Sequence, residues 1–519
     1  MASFPPAGPW DDRVRFAEDA SGNPFAYHVG ELIVRGDGKL ISEAMHRAGA
    51  TFNSGESLRY TPIDTFGELT LFGGVEDPVM VAIALRHQGV RAQVNHVFFA
   101  HGPFDVASRG WTQPVGLSHP VGLSHPVGLS HPVGLSHPVG LSHPVGLSHP
   151  VGLSHPVGVV IGNVETPGGV DQQGCCCERC ALTPARITGP MRTTARPAPR
   201  PRDRDSGRRG TSPTTPCKIL VLDTGFDTAN PAKQSGAQGL AAKRLSGAAS
   251  WSDQSSDVWD ADGDGVLDPV AGHGTFIAGL IGLLAPKAKT TVSSVVGSYG
   301  DVTDWDVAKA LWSHLVECAG EAPPFDVVNM SLGGYCEDDD PPLALGHAIE
   351  LVNAKWNDAA VKANRAHFQS ACKKVDHCET ADRSDFDDRV VFIASAGNSA
   401  SCRPNWPAAF EDVIGVGALG PSGPADFTNY GAWVDACAPG VDLVSTFFDL
   451  TGKNPDGLDG RFKGWAMWSG TSFSAPIVAA QIAFEHEATG DLMGAVVRRM
   501  FRRPALFRWP GLGVVVNVA

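Results

Sequence analysis

The longest apolar runs lie in the second half of the chain. Residues 218–224, 290–298, 326–332, 390–396 and 413–419 are rich in β-branched and other apolar side chains with little alternation. That is the pattern of strands buried on both faces. Between them, helix-like spacing predicts helices over residues 273–284, 302–317, 343–366 and 472–487. Buried strands alternating with helices imply a doubly wound α/β domain with a mostly parallel sheet, placed at residues 217–519.

The first part of the chain has a different rhythm. Residues 31–35 read as a strand, 39–48 as a helix, and 57–61 and 68–72 as a strand pair. Asp77 and Pro78 then supply an N-cap and a first-turn proline for a helix to about His87, and residues 92–100 make a last strand. The order βαββαβ defines a small α+β domain over residues 30–101, preceded by a Pro-, Gly- and Asp-rich segment, 1–29, expected to be irregular. This arrangement hosts many functions, so it says little by itself.

Residues 102–216 read as a low-complexity linker. The hexapeptide Pro-Val-Gly-Leu-Ser-His occurs seven times between Pro114 and His155 without a substitution. A unit this short, with one proline and one glycine, cannot bury a face of its own. It is either a passive spacer or, through its repeated histidines, a transition-metal chelator. Cys177 and Cys180 form a Cys-x-x-Cys pair without the second pair that a structural zinc site needs. The Pro- and Arg-rich residues 184–216 have the composition of a solvated, easily cut segment.

Charge and cysteine content narrow the function classes. A formal net charge of −14 disfavours nucleic acid as a partner. The sequence has no apolar run long enough to span a membrane, and no basic segment leads into an apolar one near Met1, so no membrane partner and no signal peptide are expected. The 11 cysteines are odd in number and irregularly spaced, which suits a reduced, cytoplasmic setting, although Cys372 and Cys378 are close enough in sequence to bridge.

Candidate chemistry gathers at the ends of the predicted strands, where ligands bind in open α/β sheets. Asp223 ends the first strand, and Ser331, Leu332, Gly333 and Gly334 follow a later one. Ser395, Ala396, Gly397 and Asn398 close another. His273 opens a helix in Gly272-His273-Gly274-Thr275, and Ser472 opens another in Gly470-Thr471-Ser472, with Pro476 expected in its first turn. Taken singly, each has an ordinary reading as a turn carboxylate, a helix-start histidine or an N-cap serine.

Together these motifs resemble the subtilisin-like serine peptidases. Asp223-Thr224-Gly225, Gly272-His273-Gly274-Thr275, Asn329 to Gly334, Ala396-Gly397-Asn398 and Gly470-Thr471-Ser472 stand in that family's order of Asp, His and Ser. The resemblance covers roughly residues 217 to 490 and implies a subtilisin-like fold and hydrolysis of peptide bonds through an acyl-enzyme. It implies Ser472 as nucleophile, His273 as general base, Asp223 as its orienting carboxylate and Asn398 as oxyanion donor. Ser331, Leu332, Gly333, Ser395, Ala396 and Gly397 resemble the walls of the substrate pocket, with protein or peptide substrates as partners and no required cofactor. Residues 30–101 resemble a propeptide, an intramolecular inhibitor of a precursor, with cleavage expected in the Arg-rich linker. The competing reading is a catalytically silent peptide-binding protein of the same fold.

Three departures from the family pattern stand out. Phe276 replaces a common histidine and is expected to alter the cleft rim. Residues 337–388 form a long, charged insertion. Asp260, Asp262, Asp264 and Asp268 alternate around Gly265 as in a calcium loop, but Ala271 stands where an EF-hand needs glutamate, so a structural calcium site and a solvated acidic turn both remain open.

Overall fold

The computed structural model describes residues 13–36, 43–44, 60–100, 115–116, 216–227, 245–247, 257–320, 322–357, 390–453, 459–501 and 508–516. The first strands come earlier than expected. β1 (Val14–Glu18) and β2 (Pro24–Arg35) form a hairpin in which Val14 pairs with His28 and Glu18 with Pro24. Asp19 closes its turn by accepting the N–H groups of Ser21 and Asn23, with Gly22 at φ 82°. Within residues 1–29, the stretch from Val14 onward is therefore ordered. The reason is the burial of Val14, Phe25 and Ala26, the last two consecutive residues of β2 that are covered on both faces of the strand.

The rest of this unit follows the expected order. β3 (Thr61–Phe66) and β4 (Leu69–Gly73) pair, α1 (Pro78–His87) starts with the Asp77 side chain accepting Met80 N–H, and β5 (Arg91–Phe99) returns to the sheet. The strand order is β5-β2-β4-β3, all antiparallel, with β1 on β2. Leu32, Val34, Phe72, Val81 and Leu85 form a small core between the sheet and α1. Most of the helix expected over residues 39–48 lies outside the described residues. So do the Cys177–Cys180 pair, the Arg-rich stretch, Cys372, Cys378 and nearly all of the hexapeptide repeat. Its first Val-Gly forms β6 (Val115–Gly116).

The larger unit is a parallel sheet between two helical layers. Its strands are β7 (Lys218–Asp223), β8 (Leu245–Gly247), β9 (Lys289–Ser294), β11 (Val327–Met330), β12 (Val391–Ser395), β13 (Val413–Gly420) and β15 (Ala436–Pro439), after β10 (Asp301–Thr303) leaves to join the first sheet. Their order is β15-β13-β12-β11-β7-β9-β8, every neighbouring pair parallel. The short β14 (Gly423–Pro424) pairs with β13. Side chains alternate along β7. Ile219 and Val221 meet α2 (His273–Leu284) on one face, while Leu220 and Leu222 meet α3 (Asp304–Leu315) and α4 (Leu343–Val352) on the other.

The hairpin of β16 (Leu443–Lys453) and β17 (Asp459–Trp468) was not foreseen. Ser445 and Thr446 on β16 donate to the carbonyls of Phe276 and Thr275, so the hairpin lies over α2, and β6 adds to its far edge. Phe276 is not at a cleft rim. It is fully buried between Trp468 and Phe473, where an imidazole would be costly. α5 (Thr471–Thr489) and α6 (Met493–Phe501) complete that layer, and β18 (Arg508–Trp509) and β19 (Gly513–Val515) extend the sheet beyond β15. No described helix is long and apolar enough to cross a membrane.

The two units share a sheet. β10 pairs antiparallel with β5, matching Asp301 with Phe99 and Thr303 with Val97. On the other side of β5, Phe99 exchanges two 2.9 Å main-chain hydrogen bonds with Gly333. Polar side chains of β5 finish the job: Asn95 accepts from Trp305 N–H and Gln93 from Leu343 N–H, each occupying an open donor at the start of α3 or α4. Arg86 and Glu337 add a two-pronged ion pair at 2.8 and 2.9 Å.

Candidate active site

Parallel strands bring their carboxyl ends to one edge, and the candidate residues follow from that. β7 ends in Asp223, β11 runs into Ser331, and β12 ends at Ser395 just before Asn398. α2 begins at that edge with His273, and α5 begins there one residue before Ser472.

His273 and Asp223 form a fully buried pair. The imidazole Nδ1 lies 2.8 Å from Asp223 Oδ1, and neither side chain is exposed. The carboxylate also accepts Thr224 N–H at 2.8 Å, which fixes its rotation. Gly274 is required by close approach, because a Cβ there would collide with the Gly225 carbonyl. α2 can therefore start against the end of β7, and Thr224 Oγ1 accepts Gly274 N–H at 3.0 Å.

Asp257 was missed in the sequence. It accepts Gly272 N–H at 3.1 Å and the Thr275 hydroxyl at 2.8 Å, anchoring the first turn of α2. Burial pushes its carboxyl up to about 6, with the nearby Asp223 charge acting in the same direction and its hydrogen bonds opposing them. The only signal was an acidic residue some distance before Gly-His-Gly-Thr, and such residues are common.

Ser472 occupies the second position of α5, at the positive end of the helix dipole. The residue that follows it, Phe473, packs its ring 5.2 Å from the His273 ring, centroid to centroid. Pro476 is not in the first turn, as expected, but in the sixth position of the helix. Having no N–H, it leaves the Ser472 carbonyl without its usual partner four residues on. Ser331 Oγ donates to that carbonyl at 2.7 Å, and Asn329 donates to Ser331 in turn. The proline and the Ser331 hydroxyl are thus complementary.

Asn398 faces the same helix start. Its Oδ1 accepts from both Thr471 N–H (2.9 Å) and Thr471 Oγ1 (2.8 Å), which orients the amide so that Nδ2 is its other end. Asn398 and Ser472 line one pocket together with Gly333, Gly334, Tyr335, Ser395, Gly397, Ser399 and Asn405. Three of the expected wall residues do not line it. Leu332 and Ala396 are fully buried in the hydrophobic cores, and Ser331 holds the α5 backbone. Strand alternation explains this, since the neighbours of wall residues Gly333 and Ser395 point inward.

The cleft is occupied by the chain's own strand. Beyond β5, Ala100 N–H donates to the Gly300 carbonyl at 2.9 Å, and Ser472 Oγ donates to the Ala100 carbonyl at 3.0 Å. Main-chain pairing on both sides thus delivers a peptide carbonyl to the Ser472 hydroxyl.

The acidic loop abuts the same wall. Oxygens of Asp260, Asp262 and Asp268 lie within 4.8 Å of one another, whereas Asp264 turns back to accept Val266 N–H and is not among them. Tyr299 donates to Asp262 and Ser298 to Asp268, tying the loop to the segment that reaches Gly300.

Comparison with known proteins gives a consistent result. The model of the Subtilase family matches residues 215–508, more than half of the chain. A thermophilic serine proteinase of Bacillus sp. (strain AK1) is 29% identical over 280 residues, covering 51% of this chain and 51% of that protein. Thermitase of Thermoactinomyces vulgaris is 25% identical over 274 residues, 50% of this chain and 72% of the relative. A cold adapted subtilisin-like serine proteinase of known structure is 20% identical, with 62% of this chain and 95% of that chain covered at a TM-score of 0.39. The match thus spans about half the length of the first of these relatives.

Proposed function

Since the chain belongs to the subtilase family, we propose that it is a serine endopeptidase acting through Ser472, His273 and Asp223. The observation that carries this reading is the Ser472 hydroxyl, 3.0 Å from a peptide carbonyl that the cleft holds by main-chain pairing. Ser472 Oγ forms the new bond to the carbonyl carbon while its proton passes to His273 Nε2. Asp223, hydrogen-bonded to Nδ1, keeps the ring in the tautomer that leaves Nε2 basic and stabilises the imidazolium. The oxyanion is met by Asn398 Nδ2 and the backbone N–H at the start of α5. The C–N bond then breaks as His273 returns the proton to the leaving amine, and water repeats the sequence on the acyl-enzyme. A silent peptide-binding protein has no use for the buried Asp223–His273 pair.

The same contact supports the first unit as an intramolecular inhibitor. Its last strand lies in the cleft as a substrate would, with the Ala100 carbonyl at Ser472, so this reading adds the Ala100–His101 bond to the Arg-rich linker as a place for the first cut. Ser472→Ala should lower hydrolysis of an unfolded protein substrate at least about a thousandfold and leave the purified chain uncut. If both proteins are cut at the same bond and hydrolyse the substrate equally, Ser472 is not the nucleophile.

A structural calcium ion suits the acidic loop, because Asp260, Asp262 and Asp268 offer only oxygen donors. Its bonds to Ser298 and Tyr299 would let it stiffen the Gly300 wall. Chelation should then lower the melting temperature of the natural chain by several degrees, and that of Asp262→Asn by much less.

A further inference from the structure

Asn405 lies at the floor of the pocket beside Ser472, and none of the chemistry above uses it. The residue is only 5% exposed, and its Oδ1 is buried without a hydrogen-bond partner. A buried amide oxygen left unpaired is costly, and native proteins seldom tolerate one without a reason. The walls are shaped around it. A Cβ on Gly333 would collide with Asn405 Oδ1, and a Cβ on Gly397 would press within 3.2 Å of its Nδ2. Glycine at both positions thus leaves the carboxamide set between the two walls, with Ser395 and Ser399 lining the same space.

The pocket adjoins the nucleophile and Asn398, so it receives the side chain on the acyl side of the bond that is cut. Resting on the peptidase reading, we propose that Asn405 is a specificity-determining residue whose amide oxygen accepts a hydrogen bond from that side chain. The favoured substrates then carry an uncharged donor there, as glutamine or asparagine does, and aliphatic side chains of the same shape are disfavoured. The logic is asymmetric. A matching N–H satisfies an oxygen that otherwise stays unpaired, whereas a methyl group in its place seals the oxygen away from water.

Two isosteric pairs test this. Peptide p-nitroanilides ending in Gln or Met, and in Asn or Leu, differ at the pocket in hydrogen bonding far more than in size. The natural protein should show kcat/KM at least about tenfold higher for Gln than for Met, and for Asn than for Leu. In Asn405→Ala both ratios should fall to within about threefold. Asn405→Asp, which keeps the shape, should move the preference toward Lys, and this guards against an alanine variant that does not fold. Fluorophosphonate labelling of Ser472 is run alongside. Labelling and hydrolysis without a Gln or Asn preference, or with a preference unchanged in both variants, overturns the role of Asn405 alone. Absence of labelling and of hydrolysis overturns the peptidase reading and this proposal with it.

Discussion

Two pairs of helices in the α/β unit are held by different chemistry. Within the α/β unit, α2 and α5 are held by continuous apolar packing, with Phe276, Phe473 and Trp468 in mutual ring contact. The first unit also packs apolar side chains on α3 and α4, with the Phe66 ring 4.8 Å from that of Trp305 and Leu69, Leu71 and Phe98 in the same core, but it adds side-chain amides at the helix starts, the Arg86–Glu337 pair and a Lys309–Asp64 pair at 2.9 Å. Apolar packing excludes water and is costly to open. Hydrogen-bonded and charged contacts trade against water and open at lower cost. The difference is the polar and charged component of the second interface, which is the part that a single substitution can weaken.

The comparison is sharpest where the core is cut. Phe276→Ala should destabilise the α/β unit by about 3–5 kcal/mol, the range for deleting a buried aromatic ring, read as a drop in the denaturant midpoint. A loss below about 1 kcal/mol would mean that the aromatic cluster does not hold α2. Across the other interface, Arg86→Ala should weaken docking of the first unit by about 2–3 kcal/mol, because it leaves Glu337, only 7% exposed, without its cation. The measurement is the rate at which the first unit is digested by an added protease. It should rise while the denaturant midpoint of the α/β unit stays put, and equal changes in both would erase the distinction.

A smaller effect tests the helix start that both units share. Asp304 is buried at the start of α3 and accepts the N–H groups of Ala344 and Leu345, and burial pushes its carboxyl up to about 7 despite those bonds. A carboxyl whose folded value is raised binds a proton more readily in the native state. Its contribution is full below the unfolded value near 4 and is lost as pH rises through about 7. Stability should therefore fall between pH 5 and pH 8 by on the order of 1–3 kcal/mol, and Asp304→Asn should flatten that slope. A slope unchanged in the variant would remove Asp304 as its source.

Much of this arrangement was readable in the letters, for identifiable reasons. Strands buried on both faces need unbroken apolar runs, so β7, β11, β12 and β13 announce themselves, and a glycine beside His273 marks the start of α2 with the same end residues that the structure has. What escaped were features set by partners distant in sequence. Gln93 and Asn95 read as polar interruptions of a strand, and only the folded chain shows that they face helix starts more than two hundred residues away. The β16–β17 hairpin is too mixed in polarity to reveal that it lies over α2. Leu332 and Ala396 fall next to wall residues, and one position along a strand turns a side chain from pocket to core. The order of Asp223, His273 and Ser472 was legible because motifs, unlike contacts, survive in one dimension.

Labelling with a fluorophosphonate, followed by peptide mass spectrometry, tests the central claim most directly. It should be carried out on the natural chain, Ser472→Ala and His273→Ala, each before and after limited proteolysis within residues 101–216. The account predicts one adduct, on Ser472 of the natural chain, formed faster once the first unit can leave, strongly slowed in His273→Ala and absent from Ser472→Ala. An adduct on any other residue, or none on Ser472 after the cut, would contradict it.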